Sequence, residues 1–478
     1  MKKTISILFL LLAVAVQAEV ITWQAPEGFA SDKYYRVKVN GVDVPVFDTP
    51  IASYATFDFT GEVNVEVNTM FDVRWVDIRP MRLNLKPEYN DDHTFSVKLN
   101  NPCNISLELN GRIRQQPLFI FANSPEKNRP NKNDKNVIWF EQGKLYKDVA
   151  LEVKDNRTVY IEGGAVLQGY IWANGAKNIK IIGRGIMDGT YVREMPNRKQ
   201  FISLTDCKDV EISDVILQNA TTWQIATWNC ENVNITNPLI VSESASDDGI
   251  DIVRSRNVVI DGGFIHTKDD CIVIKSHGKT FANDVNTDGI LVKNSVLWNS
   301  IWGNAIEIGF ELVSDKVQNI RFENIDIIHV EDGSAISIHN ADRSAVKNIV
   351  FENIRIEDCR QKLFDLAIFY SKYSVDGIRD NDYEKNNYMH GAWDGVLYMP
   401  NDWSKEKKAE ARGTISNVVF KDIQVVDGLL PFSVFYGHDD VKCIDGVVID
   451  NLTYMGRKIT TEEEAKIRKT NTKNLIIK

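Results

Sequence analysis

A short strand-like segment recurs through most of the chain after residue 176. Each copy starts with Asn, Asp or Gly, continues with apolar residues at alternate positions, and ends in a polar turn. Most successive copies begin 23–32 residues apart, and their first residues are Asn178, Asp209, Asn232, Asn257, Gly289, Asn319, Asn348, Asn417 and Gly446. Repeats of this length that consist of strands predict a parallel β-helix, in which each repeat forms one coil of an all-β solenoid. Asn at the head of a repeat suits a left-handed turn, and stacked Asn side chains can bond along the solenoid axis.

The chain before the repeats has a different pattern. Residues 19–122 hold short alternating strands with Gly and Pro turns, which predict a small N-terminal β-sandwich. The polar stretch 123–136 is predicted to be a linker, and 137–478 to form the solenoid. The longest repeat interval contains the aromatic-rich segment 371–412. We expect this segment to form a loop that lines one side of a sugar-binding cleft, with Trp393 in contact with the sugar. The alternative is a folded-back loop whose aromatic side chains only bury one another.

Residues 1–18 have the features of a signal peptide. Lys2 and Lys3 precede an almost wholly apolar run from 5 to 16, and residues 16–18 place small side chains at the cleavage positions. The apolar run is short for a bilayer span, and no second long apolar run follows. We therefore expect export to the periplasm or the extracellular space without a membrane anchor.

The composition limits the partners and cofactors. The chain has 66 acidic against 56 basic residues and a formal net charge of −10, which disfavours nucleic acid and anionic membranes as partners. The six cysteines are sparse and form no CxxC pair, so neither a zinc site nor a disulfide framework is indicated. We expect a monomer without metal or cofactor.

Two similar segments each open on paired aspartates. Asp247 and Asp248 begin the first, and Asp269 and Asp270 begin the second, 22 residues later. This offset is about one coil, so four carboxylates are predicted to stack at one edge of one sheet, with coils about 4.8 Å apart. Like charges packed so closely are costly unless they serve a function. We therefore expect the catalytic chemistry to take place at this edge of the sheet.

The coils can be aligned on their inward-facing isoleucines, which are Ile250 and Ile252, Ile272 and Ile274, and Ile306 and Ile308. Asp248, Asp270 and Asn304 then occupy equivalent positions, and the outward residues between the isoleucines are Asp251, Val273, Glu307 and, one coil later, Ser337. Asp248 and Asp269 become diagonal neighbours. That geometry is compatible with the separation of about 6.5–9.5 Å between the acid and the base of an inverting glycosidase. One clustered carboxyl is expected to keep a proton through a raised pKa.

These motifs resemble those of the family 28 glycoside hydrolases, the polygalacturonases, which are right-handed β-helices. Residues 246–251 match the family's Asn-Thr-Asp-Gly-Ile-Asp, and residues 268–272 match its Gly-Asp-Asp-Cys-Ile, at the family's spacing. The resemblance covers the predicted solenoid and implies an inverting hydrolase of a polysaccharide or oligosaccharide. Carried over by position, Asp269 would be the general acid, and Asp248 and Asp270 would hold and deprotonate the water.

The sequence also departs from that family. Its Gly-His-Gly is 303–305 (GNA) here, and its Arg-Ile-Lys, which clamps a substrate carboxylate, falls at 337–339 (SIH). An uronate normally needs such a cation, so these changes argue against ordinary polygalacturonate. Asp247 replaces the family's Thr. The predicted N-terminal sandwich and the run 297–309 resemble family 49, the dextranases and isopullulanase, which act on neutral α-glucans.

Other residues near the acids are candidates for substrate binding, because they are predicted to face outward along the same sheet or to lie in the aromatic loop. They are Asp247, Lys275, His277, Asn304, Glu307, His339 and Trp393. Trp223 and Trp228, one coil before the acids, could form the floor of a sugar subsite or pack in the core.

Two other functions remain open. Four aspartates could bind Ca²⁺, as in β-helix polysaccharide lyases, with Lys275 or Arg254 as the base. Alternatively, the solenoid could bind glycans without catalysis, although such a protein has no reason to keep stacked acids in its cleft.

Overall fold

The computed structural model describes residues 18–190, 200–277, 286–371, 373–374 and 404–478. Nearly all of the predicted signal peptide, 1–18, and most of the predicted loop 371–412, including Trp393, lie outside the described residues.

The N-terminal part consists of eleven short strands. They are β1 (Val20–Ile21), β2 (Tyr35–Val39), β3 (Val42–Val44), β4 (Val46–Asp48), β5 (Ser53–Phe59), β6 (Val63–Thr69), β7 (Val76–Arg79), β8 (Pro87–Asp91), β9 (Thr94–Leu99), β10 (Cys103–Leu109) and β11 (Leu118–Asn123), with a 3-10 turn at Met81–Leu83. One sheet has the order β1-β5-β11-β10-β7, with β4 also paired to β5. The other has the order β3-β2-β6-β9-β8.

The two N-terminal sheets pack face to face. Strand β2 alternates buried and exposed residues along its length, as a strand with one covered face must. Val37 and Val65 from one sheet share an apolar core with Phe57, Ile105 and Ile120 from the other. The predicted β-sandwich is confirmed.

The remaining strands form one sheet system of 29 strands. Its first half contains β12 (Val137–Phe140), β13 (Leu145–Glu152), β14 (Thr158–Ile161), β15 (Val166–Asn174), β16 (Lys177–Ile182), β17 (Ile186–Asp188), β18 (Ile202–Thr205), β19 (Lys208–Ser213), β20 (Ile216–Gln218), β21 (Ile225–Trp228), β22 (Glu231–Thr236), β23 (Leu239–Val241), β24 (Ile250–Val253), β25 (Arg256–Asp261) and β26 (Phe264–Thr267).

Its second half contains β27 (Ile272–Lys275), β28 (Thr287–Lys293), β29 (Val296–Asn299), β30 (Ile306–Phe310), β31 (Lys316–Val330), β32 (Ser334–Asn340), β33 (Ala345–Ile356), β34 (Lys362–Ile368), the helix α1 (Lys405–Glu410), β35 (Thr414–Val425), β36 (Phe432–Tyr436), β37 (Ile444–Tyr454), β38 (Arg457–Ile459), β39 (Ile467–Thr470) and β40 (Thr472–Ile477).

Each solenoid coil pairs with the next in parallel. In the middle of the chain a coil has three strands, so β24 pairs with β27 and β27 with β30. From β31 onward two of the three faces merge into single long strands. The isoleucines at alternate positions of each strand point inward and stack in one continuous apolar core. The predicted right-handed parallel β-helix is confirmed.

The asparagines at the heads of the repeats form ladders. Asn319, Asn348 and Asn417 all have φ between 53° and 59°, the left-handed region that Asn tolerates well. The side-chain amide of Asn319 donates to Asp288 at 2.8 Å, and that of Asn348 donates to Asn319 at 3.1 Å. The same residue type therefore sets the turn and ties neighbouring coils together.

The sandwich lies along one side of the solenoid. Phe119, Phe121 and Tyr54 of the sandwich share an apolar cluster with solenoid residues from successive coils, which are Val166, Ile186, Ile216, Leu239, Phe264, Val296 and Ile328. Beyond this cluster, Arg79 pairs with Glu357 of the solenoid at 2.8 Å and with Glu108 of its own sheet at 3.2 Å. The interface thus combines an apolar row with buried ion pairs.

All six cysteines are free, and five of them are buried. Within the described part of the chain, no helix is both long enough and apolar enough to cross a membrane.

The ladder predicts distinct effects for two substitutions at Asn319. Asn319→Ala removes the amide and places a Cβ-bearing residue without a local partner at φ 57°, so we expect the free energy of unfolding to fall by about 1–2 kcal/mol. Asn319→Gly loses the same hydrogen bonds but accepts this φ, so we expect a smaller loss. Urea unfolding measures both. Equal losses would contradict the conformational part of this account.

Candidate active site

Main-chain register brings the aspartate pairs together. Ile250 pairs with Ile272, and Ile272 with Ile306, as aligned from the sequence. The amide of Gly249 donates to the carbonyl of Asp270 at 2.8 Å, which extends this register up to the acids. The predicted stacking of the two motifs on neighbouring coils is confirmed.

Three carboxylates converge at this sheet edge. One oxygen each of Asp248, Asp269 and Asp270 lies within 4.8 Å of the other two. These distances between the nearest oxygens are shorter than the separation of about 6.5–9.5 Å between whole carboxyl groups that we expected from the sequence. Asp248 and Asp270 are 3% and 6% exposed, whereas Asp269 is only half-buried. Asp269 is therefore the carboxyl most accessible to a ligand.

Burial and mutual repulsion favour protonation within the cluster. Burial, and then the charge of Asp248, raise the pKa of Asp269 to about 8. The same two causes raise the pKa of Asp270 well above its usual value. The Asp270 carboxylate accepts hydrogen bonds from the main-chain and side-chain amides of Asn304, at 2.7 and 3.2 Å. These two bonds favour the charged form of Asp270, whereas Asp269 accepts one, from the main-chain amide of Asp270 at 3.1 Å, so we expect the proton shared by the pair to stay on Asp269.

Lys275 neutralises the other side of the cluster. Its ammonium donates to Asp248 at 2.8 Å and to Asp251 at 3.0 Å, and it lies 3.9 Å from the ring centre of Trp223. Burial lowers the pKa of Lys275, but Asp248 and Asp251 raise it well above its usual value. Lys275 is thus held as a cation, and Asp248 has a buried counter-ion that Asp269 lacks.

Asp247 supports the neighbouring coil. It has no exposed surface, and its carboxyl accepts hydrogen bonds from the main-chain amides of Ser244, Lys268 and Asp269, at 2.7, 3.1 and 3.0 Å. Burial raises its pKa to about 7. The extra charge noted in the sequence therefore fixes the backbone that carries Asp269 and presents no oxygen to the cleft.

Gly303 allows the coils to approach closely at the acids. It adopts φ +65°, and a Cβ there would lie 2.4 Å from the amide nitrogen of Asp270 and 2.6 Å from Oδ1 of Asp269. Any side chain would displace both aspartates, so the position requires glycine.

A buried chain of polar groups continues from Asp270 across the sheet. Asn304 donates to Glu307 at 3.0 Å, and the ring of His339 lies 2.9 Å from Glu307 and 3.1 Å from Asp365. Burial lowers the pKa of His339, but the two carboxylates raise it to about 10. The imidazolium at the position of the expected uronate clamp is therefore already paired with two acids.

The expected substrate-binding residues differ in their placement. Asn304 and His339 line a small pocket of about 100 Å³ beside Asp269. Lys275 is almost completely buried and Glu307 fully so, which contradicts the outward, accessible position expected of them. The reason is that outward-facing residues of this sheet lie beneath neighbouring side chains and turns. Lys275 and Glu307 therefore hold neighbouring charged side chains in position, which are Asp248 and Asp251 for Lys275 and His339 for Glu307.

The two tryptophans and His277 form a separate group. Trp223 and Trp228 stack with ring centres 5.6 Å apart, and His277 meets Trp228 edge-on at 6.4 Å. One face of Trp223 covers the ammonium of Lys275. Trp223 therefore shields the ion pair, which the sequence analysis did not foresee.

Further pocket residues escaped the sequence analysis. Trp302, Phe310, Lys362 and Asp365 line the pocket with Asp269. Lys362 donates to Asp365 at 2.5 Å. Asp365 pairs in register with Ser337, so extending the coil alignment by one more repeat could have found it.

The three clustered oxygens are spaced closely enough to contact one cation. Ca²⁺ requires six to eight oxygen ligands, and the ammonium of Lys275 already lies 2.8 Å from Asp248. A divalent ion here would be repelled by Lys275, so the residues fit it poorly. Lys275 is also a poor candidate for a lyase base, because its ion pairs keep it protonated.

Comparison with known sequences identifies the family. A model described as glycosyl hydrolases family 28 matches residues 129–372, just over half of the chain. An exopolygalacturonase of Cochliobolus carbonum is 27% identical over 190 residues, which are 36% of this chain and 40% of that protein. An endopolygalacturonase of Emericella nidulans is 24% identical over 247 residues, or 43% of this chain and 65% of that protein. The aligned stretch thus covers less than two thirds of these relatives.

Solved structures share the fold. Dex49A from Penicillium minioluteum superposes with a TM-score of 0.61 at 13% identity, covering 95% of this chain and 96% of that one. A family 28 exopolygalacturonase of Yersinia enterocolitica gives a TM-score of 0.51 at 13% identity, covering 96% of each. The match of the family model to more than half of the chain, together with this fold and the two aspartate motifs, shows that the protein belongs to glycosyl hydrolase family 28 as a divergent member.

Proposed function

We propose that this protein is an exported glycoside hydrolase that cleaves O-glycosidic bonds of a polysaccharide or oligosaccharide with inversion at the anomeric carbon. The observation that carries the proposal is the asymmetry among three converging carboxyls. Asp269 is accessible and has a pKa raised to about 8, whereas Asp248 is paired with a buried ammonium. One protonated and one ionised carboxyl are what acid–base cleavage of a glycosidic bond requires.

In the proposed reaction, Asp269 donates its proton to the glycosidic oxygen as the bond to the anomeric carbon breaks. Asp248 and Asp270 hold a water molecule, which attacks the anomeric carbon from the opposite side. The proton lost by that water passes to the Asp248–Asp270 pair. One sugar leaves with a new hydroxyl group, and the other retains the attacking oxygen with inverted configuration.

Lys275 is assigned to positioning the base. It holds Asp248 in one geometry through a hydrogen bond of 2.8 Å, and its charge opposes the rise in the pKa of Asp270. Asp247 acts on the acid in a similar way, because it binds the main-chain amide of Asp269. Both residues therefore act through the catalytic aspartates.

The sugar at the cleavage point is proposed to differ from an ordinary galacturonate. Within the described part of the chain, the cations that line the pocket with Asp269 are His339 and Lys362, and both are paired with Asp365. They are poorly placed to take a substrate carboxylate as well. A neutral sugar at this point agrees with that charge balance.

Export is proposed from the sequence of 1–18, with its basic start, apolar run and small residues at 16–18. A polysaccharide outside the cytoplasm is a fitting substrate for such a protein, which we expect to act as a monomer.

Substitution of the acid tests the assignment of Asp269. We expect Asp269→Asn to lower the rate of hydrolysis by about 10²–10⁴-fold, since the amide cannot donate a proton to the leaving oxygen. Reducing-end release from polygalacturonate, rhamnogalacturonan and dextran measures the activity. The matched control is Asp43→Asn, the same chemical change at an aspartate that is 86% exposed. Full activity of Asp269→Asn would refute the assignment.

The anomeric product tests the stereochemistry. We expect proton NMR during early hydrolysis to show the anomer opposite to that of the cleaved bond. Retention is the second candidate, because oxygens within 4.8 Å of each other suit the carboxyl spacing of about 5–5.5 Å in retaining enzymes. A retained anomer would establish that mechanism instead, and an unsaturated product that absorbs ultraviolet light would establish a lyase.

The pH profile tests the charge assignments. We expect kcat/KM to fall above about pH 8, since Asp269, with its pKa raised to about 8 by burial and by Asp248, then loses the proton it must donate. Lys275→Met removes a charge that lowers the pKa of Asp270, so the acidic limb should move to higher pH. Lys275→Arg keeps the charge and should leave that limb nearly in place. Identical profiles for the Met variant and the unaltered protein would rule out this role of Lys275.

A further inference from the structure

Two adjoining cavities lie along the sheet edge that carries the acids, and the second of them is called the edge groove. The small pocket beside Asp269 extends to Gln361. Gln361 also lines a second, larger cavity of about 630 Å³, together with Leu429, Phe432 and Arg468. The two cavities therefore adjoin through one residue, and the second is too far along the solenoid to belong to the acid cluster.

The register fixes the distance between the two cavities. Asp270 and Asn304 occupy equivalent positions on neighbouring coils, and the same edge position is held by Ser334, then Lys362, then Phe432. Phe432 is thus four coils from Asp270. At about 4.8 Å per coil, this separation is about 19 Å along the solenoid axis.

The chemistry of the second cavity suits a glycan. Leu429 is 79% exposed, and the ring of Phe432 is only partly buried. The guanidinium of Arg468 lies 5.3 Å from the centre of that ring, and within the described residues it forms no ion pair. Apolar surface bears against the C–H faces of sugar rings, and an adjacent arginine can donate hydrogen bonds to hydroxyl or carboxylate oxygens.

We propose that this edge groove binds further sugar residues of the same glycan that is cleaved at Asp269, so that the preferred substrate is a chain long enough to reach Phe432, four coils away. The inference rests on the proposed function and adds the length of the substrate to it. Gln361 lines both cavities, and this direct adjacency to the acid site is what favours the substrate itself as the occupant.

Kinetics on long and short substrates test the groove. We expect Phe432→Ala to raise KM about tenfold for whichever of polygalacturonate, rhamnogalacturonan and dextran is hydrolysed, with kcat unchanged. The trisaccharide of the same glycan should show no change in kcat/KM, because it is too short to reach the groove. Arg468→Gln should act in the same direction. An unchanged KM on the polymer, or an equal loss on the trisaccharide, would overturn the proposal.

Met455→Ala is the matched control, since Met455 is 57% exposed and does not line the groove. It should leave KM unchanged on both substrates.

A binding measurement separates this proposal from the hydrolase assignment. Asp269→Asn protein should be retarded in gels that contain one of the three polysaccharides, and adding Phe432→Ala should abolish most of the retardation. That result would support the groove even if no glycan were hydrolysed. Equal retardation of both proteins, or none of either, would overturn it.

Discussion

The parallel hydrogen-bonded stacking of coils is the constraint on which the rest of the structure depends. Once Ile250, Ile272 and Ile306 are aligned in the core, each residue of the paired strands has a fixed neighbour about 4.8 Å away on the next coil. A residue type that recurs at one coil position becomes a row. The asparagine ladders and the aspartate cluster are both rows of this kind. Hydrogen bonds between the asparagines stabilise the stack, whereas repulsion between the aspartates destabilises it.

The electrostatic repulsion among the aspartates is compensated to a different degree at each residue. Asp248 shares a buried ammonium with Asp251, and Asp270 accepts two hydrogen bonds from Asn304. Among the described residues, Asp269 has no ammonium in contact and accepts a hydrogen bond from the main-chain amide of Asp270 at 3.1 Å, and it is the most accessible of the three. Burial and a neighbouring like charge favour the protonated form of a carboxyl, whereas a neighbouring opposite charge or a donated hydrogen bond favours the ionised form. Different neighbours thus place chemically identical side chains in different electrostatic surroundings.

The sequence predicted the solenoid, the sandwich and the meeting of the aspartate pairs, because these follow from periodicity and register. It did not predict what covers the outward face of the sheet. Lys275 and Glu307 occupy outward positions in the alternation of their strands. However, Trp223 covers Lys275, and Glu307 is buried against Asn304 and His339. Asp365 was missed because it contacts His339 from a coil that carries no recognisable motif. Contacts across coils that lack a shared motif depend on three-dimensional packing, which one sequence does not record.

The apolar row between the sandwich and the solenoid has a mechanical consequence. Its solenoid members run from Val166 to Ile328, with at least one from each successive coil, so the sandwich braces the stack along its side. The coils of β24, β27 and β30, which carry the acids, lie within the part of the solenoid that the sandwich covers. Bending or stretching of the stack would separate the carboxylates by changing the rise between coils, and the packed sandwich resists both motions. The N-terminal sheets therefore contribute to the precision of a site that they do not touch.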